Sequence, residues 1–329
     1  MKICLFFRKK DPVFFSIEKV FSAIIPFLKN KFQIDEVVAP LYTNGILSVI
    51  RNLLFVKRSK ADIYHVTGDT HYLVLGFPRR KAMLTIHDCS FMEQPNGIKR
   101  TILKYLFLTW PVKHSSLITT ISEKSRQEII RYTGCSADKV KIIPNPLDQR
   151  FLFSKKQLNT SCPIILFIGS TPNKNLKRVI EALKGIDCML DIVGKVDTDL
   201  QQLMNAEKIQ FRQSAGLTDE QLINKYIECD MVLFPSTYEG FGLPIIEAQQ
   251  TGRPVITSNF SPMKEVAGEG ACLVDPFSVE SIRKAIITVI HDDHYREKII
   301  EKGLLNVQQY QPEKIAGLYA DLYQRLHNS

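Results

Sequence analysis

The sequence predicts an α/β protein built from two doubly wound parallel-sheet domains, and three observations support this. The chain has 329 residues, more than one hydrophobic core usually holds. Its composition, 45% hydrophobic and 23% charged, is that of a folded globular protein and excludes the disordered, collagen-like and low-complexity classes. Short apolar runs rich in β-branched residues alternate with helical patterns, which is typical of buried parallel strands.

These apolar runs form two sets, each large enough for one doubly wound sheet. We therefore expect an N-terminal domain over residues 1–150, a C-terminal domain over residues 151–310 and an amphipathic helix over residues 311–329. The polar stretch Asp148–Ser161 is the predicted linker. The predicted strands are Ile3–Phe7, Glu36–Val38, Ile63–Val66, Met83–Ile86, Leu117–Thr120, Val140–Ile143, Ile164–Ile168, Met189–Val193, Ile209–Phe211, Met231–Phe234, Val255–Thr257 and Cys272–Val274.

Capping residues mark several helix ends. Ser122 suits the N-terminus of a helix that stops near Gly134. Thr218 and Gln221 have the spacing of a capping box. Pro26 predicts an end or a kink in the helix that begins near Ser16.

The net charge of +9 is unevenly placed along the chain. Residues 1–154 carry +12 and residues 155–329 carry −3, so the first half should face an anionic partner. A nucleic acid, an anionic membrane surface and a phosphorylated substrate all fit this charge. The apolar residues between positions 14 and 27 are expected mostly to pack in the core against the sheet. A further hypothesis is that some of them form an apolar lip, rimmed by basic residues, that docks on a membrane. The basic runs, which are either solvated surface or a functional face, are 8–10, 57–60, 79–81 and 99–100.

Seven scattered cysteines form no CxxC pair, so neither a disulfide framework nor a zinc site is expected. A reducing compartment, and therefore a cytoplasmic location, is the prediction. No run reaches about 18 clean apolar residues, so no transmembrane helix is expected. The apolar run Ile3–Phe7 predicts a first strand and not a signal peptide.

The segment Phe234–Ala248 carries the richest chemical pattern. A strand ends there, a loop containing Gly240 and Gly242 follows, and a helix begins near Pro244, because proline suits the first helical turn. Glycines allow a ligand to approach the backbone closely. The free N–H groups at the start of a helix favour a phosphate.

Two carboxylates, Glu239 and Glu247, flank this loop eight positions apart. Carboxylates beside an anion site would oppose phosphate binding alone, but they accept hydrogen bonds from hydroxyl groups. A ligand with both phosphate and sugar hydroxyls is a nucleotide sugar. The segment thus predicts a nucleotide-sugar site.

The same segment resembles the Glu-x7-Glu signature of glycosyltransferase family 4, the group 1 retaining transferases. That family has the GT-B fold, in which two Rossmann-like domains face a central cleft. The first half of the chain matches more loosely than the second. Further matching segments are Phe167–Asn175, Gly252–Ile256, Glu265–Gly268, Val274–Pro276, Thr85–Asp88, Thr120–Ser122 and Ile143–Pro146.

The resemblance implies roles for individual residues. Glu239 would hold hydroxyls of the donor hexose, and Glu247 would bind the ribose. Lys174 would neutralise the departing diphosphate, and His87 would face the donor sugar across the cleft. Backbone amides of the loop would meet the sugar and the diphosphate. The other implied donor-binding residues are Gly169, Ser170, Asn173, Arg178, Gly240, Phe241, Gly242 and Leu243.

One position departs from the family pattern. Many relatives carry an arginine directly after the phosphate-loop glycine, where this chain has Ser170. Arg178, one turn after Lys174, is the candidate for a second cation. The resemblance also implies same-face attack, in which the leaving phosphate accepts the acceptor's proton, so no enzymatic nucleophile, cofactor or divalent metal is expected. Asp197 and Asp199 form a DxD pattern, but they open a helix and predict a cap.

Four further polar residues of the first half are candidates for the site or for a purely structural role. His65 and Asp69 end a strand and are secondary candidates to line the cleft. Asp88 serves equally well as a turn or helix cap. Asn145, between two prolines, is predicted to be a turn residue.

By this resemblance we expect a retaining glycosyltransferase that moves a hexose from a nucleotide-diphosphate sugar to a glycan or lipid-linked acceptor in surface polysaccharide assembly. The basic first domain would bind the acceptor, the final helix would cross back onto it, and a peripheral contact with an anionic membrane is the further expectation. An epimerase or phosphorylase of the same architecture and a catalytically silent sugar-nucleotide-binding subunit are the alternatives. A nucleic-acid-binding protein is suggested by charge alone, without an identifiable aromatic stacking platform.

Overall fold

The computed structural model describes residues 1–9, 16–92 and 97–328, with the side chains of residues 16, 17 and 99 excepted. The chain divides into two compact units. Unit 1 is Met1–Pro146 with Pro312–Ser329, and unit 2 is Leu147–Gln311. The division falls between residues 146 and 147, slightly before the predicted boundary at residue 150, and the predicted linker lies in unit 2.

Among the described residues, unit 1 holds a six-stranded parallel sheet in the order β2-β1-β3-β4-β5-β6. The central strands are buried, and Ile3 of β1 lies in register with Ile34 of β2 and Ile63 of β3. This order reverses direction between β1 and β3. The strands are β1 (Lys2–Phe7), β2 (Gln33–Val38), β3 (Ile63–Val66), β4 (Ala82–Thr85), β5 (Leu117–Thr120) and β6 (Val140–Ile142).

Helices cover both faces of this sheet. A 3-10 segment at His71–Gly76 and a π-helical segment at Lys104–Thr109 complete the layer that contains α2 to α5. Two separate hydrophobic clusters result, one on each face. The helices are α1 (Ser16–Lys29), α2 (Ile46–Val56), α3 (Ile98–Leu103), α4 (Trp110–His114) and α5 (Glu123–Thr133).

Helix α1 is a core element. It continues through Pro26 to Lys29, so the helix does not end at Pro26, and the alternative of a kink there stays a prediction. Packing of its apolar face on the sheet outweighs the backbone hydrogen bond that proline removes. The membrane-lip hypothesis fails for the residues of this helix that are buried, which are Val20, Phe21, Ile24 and Ile25. Phe14 and Phe15, which belong to the same hypothesis, and Lys10 of the first basic run lie outside the described residues.

Unit 2 holds, in its part of the chain, a six-stranded parallel sheet in the order β12-β11-β10-β7-β8-β9. This is the doubly wound order of a dinucleotide-binding domain, with the reversal between β7 and β10. All predicted strands of both halves are present, with their ends shifted by a few residues. The new strands are β7 (Ile164–Ile168), β8 (Met189–Val193), β9 (Gln210–Ser214), β10 (Met231–Phe234), β11 (Val255–Ser258) and β12 (Cys272–Val274).

Two helices of unit 2 begin with caps that the sequence predicts. The Thr218 side chain accepts a hydrogen bond from the Gln221 amide, and the reciprocal bond completes the capping box. Asp197 accepts from the Leu200 amide and caps its helix. The helices are α6 (Leu176–Leu183), α7 (Thr198–Ala206), α8 (Asp219–Glu228), α9 (Leu243–Thr251), α10 (Met263–Ala267), α11 (Val279–His291) and α12 (Asp293–Asn306).

The final helix, α13 (Pro312–His327), belongs to unit 1 and packs against α1 and β3. A buried polar chain joins this helix to the sheet. The Nδ1 atom of His65 lies 2.7 Å from the Tyr323 hydroxyl, and its Nε2 atom lies 2.7 Å from Oγ1 of Thr85. His65 is fully buried with both ring nitrogens partnered, so the expectation that it lines a cleft is wrong.

Candidate functional site

The candidate site of unit 2 lies at the reversal of its strand order. Strands β7 and β10 are neighbours there, and the chain leaves them in opposite lateral directions to β8 and β11. In open α/β sheets, ligands bind outside the carboxyl ends of the strands at this point. The two loops that begin there, 169–175 after β7 and 235–242 after β10, contain most of the predicted donor-binding residues.

Gly169 makes room for the Lys174 side chain. Its φ of 96° is in the left-handed region that favours glycine. A Cβ atom at this position would lie 2.8 Å from both Cγ and Cε of Lys174. The aliphatic stem of Lys174 therefore lies directly on the Gly169 backbone, which fixes where its ammonium group ends.

The Lys174 ammonium is held by an anion and an aromatic face. Its Nζ atom donates to Oε1 of Glu239 at 2.6 Å and lies 4.8 Å from the ring centroid of Phe234. The side chains are 19% exposed for Lys174 and 14% for Glu239, so the pair is shielded but reachable from solvent. A cation over a ring and beside a carboxylate is preorganised to meet a ligand that carries both phosphate and hydroxyl groups.

Two asparagines join the loops, and sequence reasoning gave a role to only one of them. Asn173 donates from Nδ2 to the Tyr238 carbonyl at 2.9 Å, and its own carbonyl accepts from the Thr237 amide at 2.8 Å. Asn175 is buried, has a φ of 71°, and donates to the carbonyls of Pro235 and Pro276. The sequence did offer a signal for Asn175. An asparagine that directly follows the loop lysine suits a left-handed backbone position, because asparagine tolerates that conformation better than most residues.

The loop after β10 ends at the amino terminus of α9. Gly242 precedes the helix with a φ of 113°, and no side chain of the described residues caps it. The first amides of an uncapped helix have no intrahelical partner and can bind an anion. Phe241 turns its ring inward against Tyr310, with centroids 5.8 Å apart, so only its backbone can contact a ligand. Gly240 and Leu243 lie on either side of these two residues.

Glu247, on the first turns of α9, is oriented by a residue that sequence reasoning missed. The hydroxyl of Tyr226 on α8 donates to Oε2 of Glu247 at 2.5 Å. Burial, reinforced by this carboxylate, raises the pKa of Tyr226. The hydroxyl therefore stays protonated and acts as a fixed donor. No sequence signal links these residues, because the contact forms between two helices.

Ser170 and Arg178 occupy the edge of the same site. Ser170 packs against Gly194, where an added Cβ atom would lie 3.0 Å from the serine Cβ. The Arg178 guanidinium donates to Oδ1 of Asn175 at 2.9 Å and lies 5.5 Å from the Phe277 ring centroid. Arg178, the candidate second cation, is thus hydrogen-bonded to Asn175, the residue that joins the two loops, and lies one helical turn from Lys174.

The candidate residues of unit 1 follow its central strands. His87 lies just beyond β4, where its Nε2 atom is 2.9 Å from the Thr67 carbonyl and its own carbonyl accepts from Ser125. Desolvation lowers the pKa of His87, which favours the neutral imidazole. Asp88 accepts from the Ser90 amide, so its interpretation as a turn cap is confirmed. Asp69 pairs with Arg8.

The described residues also bear on the expectations for metal ions and membrane spans. In the described part of the chain, no group of three or more His, Cys, Asp or Glu side chains is placed to hold a metal ion. Asp197 of the DxD pattern caps α7, as predicted. None of the described helices is both long and apolar enough to span a membrane. The seven cysteines are all free.

The fold and site define a class before any comparison. A doubly wound sheet whose reversal point carries a shielded lysine, glycine-rich amides and two carboxylates is a site for an anionic ligand that also bears hydroxyl groups. Residues 148–305 match the family described as glycosyl transferases group 1, and residues 32–151 match glycosyltransferase family 4. The chain belongs to this glycosyltransferase family and has its GT-B fold.

Named relatives are similar to this chain over much of its length. O-antigen chain mannosyltransferase B of Escherichia coli is 30% identical over 81% of this chain and 75% of that protein. The serotype-specific mannosyltransferase WbdA of Escherichia coli is 25% identical over 66% of this chain, which spans only 30% of WbdA. The crystal structure of HepE from Anabaena with UDP and glucose has a TM-score of 0.76 at 16% identity, covering 99% of this chain and 100% of HepE.

Proposed function

We propose that this protein is a retaining glycosyltransferase that moves a hexose from a nucleoside-diphosphate sugar to a growing surface glycan or a lipid-linked acceptor. The observation that carries the proposal is the Lys174–Glu239 pair at the reversal point of the unit 2 sheet. One member carries the charge that a diphosphate needs, and the other accepts hydrogen bonds from sugar hydroxyls. The mannosyltransferase relatives favour mannose as the hexose.

The chemistry follows from where charge develops. Cleavage of the bond between the sugar and the diphosphate builds positive charge on the sugar ring and negative charge on the leaving group. Lys174 and the amides at the start of α9 would stabilise the leaving diphosphate without reorganisation. The leaving phosphate would take the acceptor's proton on the same face, so the anomeric configuration is retained. Lys174 supplies a fixed cation, so we propose transfer without a divalent metal.

The other predicted residues have supporting roles in this proposal. Glu239 binds donor hydroxyls, and Glu247, oriented by Tyr226, binds the ribose. His87 of unit 1 takes part in transfer in its neutral form. The free cysteines support a reducing, cytoplasmic setting. An anionic membrane surface is the proposed place where a lipid-linked acceptor is met.

The donor site is tested by unfolding the protein thermally with UDP, GDP, dTDP or ADP in the presence of EDTA. A nucleotide at about 100 times its Kd adds roughly 2.7 kcal/mol of stability, so one nucleotide should shift the transition clearly. Glu247→Ala should abolish that shift, and Glu181→Ala, an exposed carboxylate on α6, should keep it. A shift with none of the nucleotides, or one that survives Glu247→Ala, would contradict the donor assignment.

Retention and the sugar are tested by NMR of the product. The donors are the mannose and glucose conjugates of whichever nucleoside diphosphate stabilises the protein. The anomeric configuration of the initially formed product should match that of the donor. An inverted product would contradict same-face attack while leaving the donor site standing. Activity that EDTA abolishes would contradict the metal-free proposal.

A further inference from the structure

Helix α2 has two apolar faces, and only one of them is covered. Val49, Asn52 and Val56 point into unit 1 and are buried. The opposite face carries Leu47 and Leu54, which are 70% and 58% exposed. A helix with apolar residues on all sides is normally buried, so the outward face of α2 requires a partner.

A second exposed apolar stripe lies on α3 and the turns that follow it. Ile98, Ile102 and Tyr105 recur at the spacing of one helix face and are 82%, 57% and 45% exposed. Trp110, at the start of α4, is 52% exposed and lies 6.0 Å from the Tyr105 ring, centroid to centroid. The inner side of this stretch is buried through Leu108.

Both stripes flank one segment of unit 1. The 3-10 segment His71–Gly76 packs against α2 on one side and against the π-helical segment and α4 on the other. Tyr72 meets the Phe107 ring with centroids 5.5 Å apart, while a Cβ atom at Gly76 would touch Val56. We call the exposed apolar residues beside this segment the docking face, which consists of Leu47, Ile50, Leu54, Ile98, Ile102 and Trp110.

The charged residues of the two segments that carry the docking face are all basic. Residues 37–61, which contain α2, include no aspartate or glutamate, and neither do residues 97–122, which contain α3 and α4. Each stretch carries four basic residues, and together they supply most of the positive excess of the first half. The basic residues are Arg51, Lys57, Arg58, Lys60, Lys99, Arg100, Lys104 and Lys113.

We propose that the docking face seats unit 1 on an anionic membrane surface. Exposed leucine and isoleucine enter the acyl boundary, and lysine and arginine beside them meet acidic headgroups. Trp110, with the Tyr105 ring beside it, occupies the interface between the two. A nucleic acid would use the charge but would leave the leucines in water. The proposal refines the membrane contact in the proposed function, but it depends on no property of the donor site.

The chain provides its own reporter, because Trp110 is its only tryptophan and lies on the docking face. We expect phosphatidylcholine vesicles containing phosphatidylglycerol to shift Trp110 emission to the blue and to sediment with the protein. Vesicles of phosphatidylcholine alone should do so about tenfold more weakly. Raising the salt concentration should weaken the first response, because headgroup attraction is screened.

Variants locate the contact. Leu47→Asp with Leu54→Asp, and separately Ile98→Asp with Ile102→Asp, should each reduce sedimentation about tenfold or more. Leu305→Asp, a matched exposed leucine of unit 2 that is 63% exposed, should not change it. All these positions are exposed, so circular dichroism should show that the variants remain folded.

Three results would overturn the proposal. The first is a folded wild-type protein that shows neither a Trp110 shift nor sedimentation with anionic vesicles. The second is vesicle binding that survives in both double variants. The third is a wild-type protein that does not bind vesicles but forms concentration-dependent dimers, which the Leu47→Asp, Leu54→Asp variant abolishes. The last result would assign the face to a second copy of the chain. The nucleotide shift is measured on the same variants, so failure of the donor site and failure of the docking face are distinguishable.

Discussion

The two units share a six-stranded parallel sheet, but they carry function in different ways. In unit 2 the candidate site is made of loops whose backbones are fixed by Asn173 and Asn175, and its side chains are shielded and paired. In unit 1 the distinctive feature is apolar surface left in water beside lysine and arginine. The comparison teaches that a ligand site can be rigid before its ligand arrives, whereas a docking face remains incomplete without its partner.

The largest expected effect concerns Arg253, which stabilises unit 2 from within. Its buried guanidinium donates to the carbonyls of Tyr226, Ile227 and Ser154 at 2.7–2.9 Å. Arg253→Leu removes a buried guanidinium that donates to all three carbonyls, so we expect a loss of about 3–5 kcal/mol. Denaturant unfolding followed by circular dichroism measures it, while Trp110 fluorescence reports unit 1 separately.

Arg150→Leu is the matched control for this prediction. Its guanidinium is 54% exposed and pairs with Asp148 and Asp219 at the surface. Such pairs contribute at most about 1 kcal/mol. If Arg253→Leu cost no more than Arg150→Leu, the buried arginine would not be the element that stabilises unit 2.

Acid should affect unit 1 more than unit 2. Burial lowers the pKa of His65 to about 3, from 6.5 in the unfolded chain, and also lowers those of His71 and His87. Below pH 6.5 the unfolded chain binds protons that folded unit 1 does not, so stability falls as the pH decreases toward 3. Each such group contributes up to about 1.4 kcal/mol per pH unit. The two histidines of unit 2, His291 and His294, are exposed.

The measurement is denaturant unfolding between pH 7 and pH 4.5, followed by Trp110 fluorescence. His65→Gln should flatten the pH dependence of the free energy of unfolding by about one proton, whatever it does to stability at pH 7. An unchanged slope would show that His65 is not the group that binds a proton on unfolding.

The smallest expected effect should be equal in the two units. Ser122 caps α5 in unit 1, and Thr218 caps α8 in unit 2. Each side chain accepts a hydrogen bond from a backbone amide in the first turn of its helix. Ser122→Ala and Thr218→Ala should each cost about 1 kcal/mol. Equal losses would show that local capping does not distinguish the units, and a loss confined to one of them would show that the surrounding packing decides.

The strands, the caps and the donor loops could be predicted because their signals are local. Apolar runs, a Thr–Gln spacing and the glycines around Glu239 each lie within a short stretch, and the parallel order follows from the helices between strands. Asn175 and Tyr226 were missed because their contacts join residues far apart in sequence. His65 was misassigned because its partner, Tyr323, comes from the last helix.

The surface of unit 1 was harder to predict for a different reason. Helices α1 and α2 are both rich in apolar residues, and their sequences do not say which faces the sheet covers. In the structure α1 is covered by the sheet and α13, whereas the outer side of α2 has no cover among the described residues. Which face of a helix is exposed depends on how the helix packs in the folded protein. The structure therefore supports a membrane contact through α2 and α3 and not through α1.

The central claim is that the Lys174 ammonium stabilises a departing nucleoside diphosphate. The most direct test measures transfer of labelled mannose from its nucleoside-diphosphate donor by wild type, Lys174→Ala and Lys177→Ala, an exposed lysine three residues away on α6. Loss of one preorganised charge should lower kcat about 10²–10³-fold in Lys174→Ala, with Lys177→Ala near wild type. Equal activity of the two variants, with the fold intact, would contradict the account.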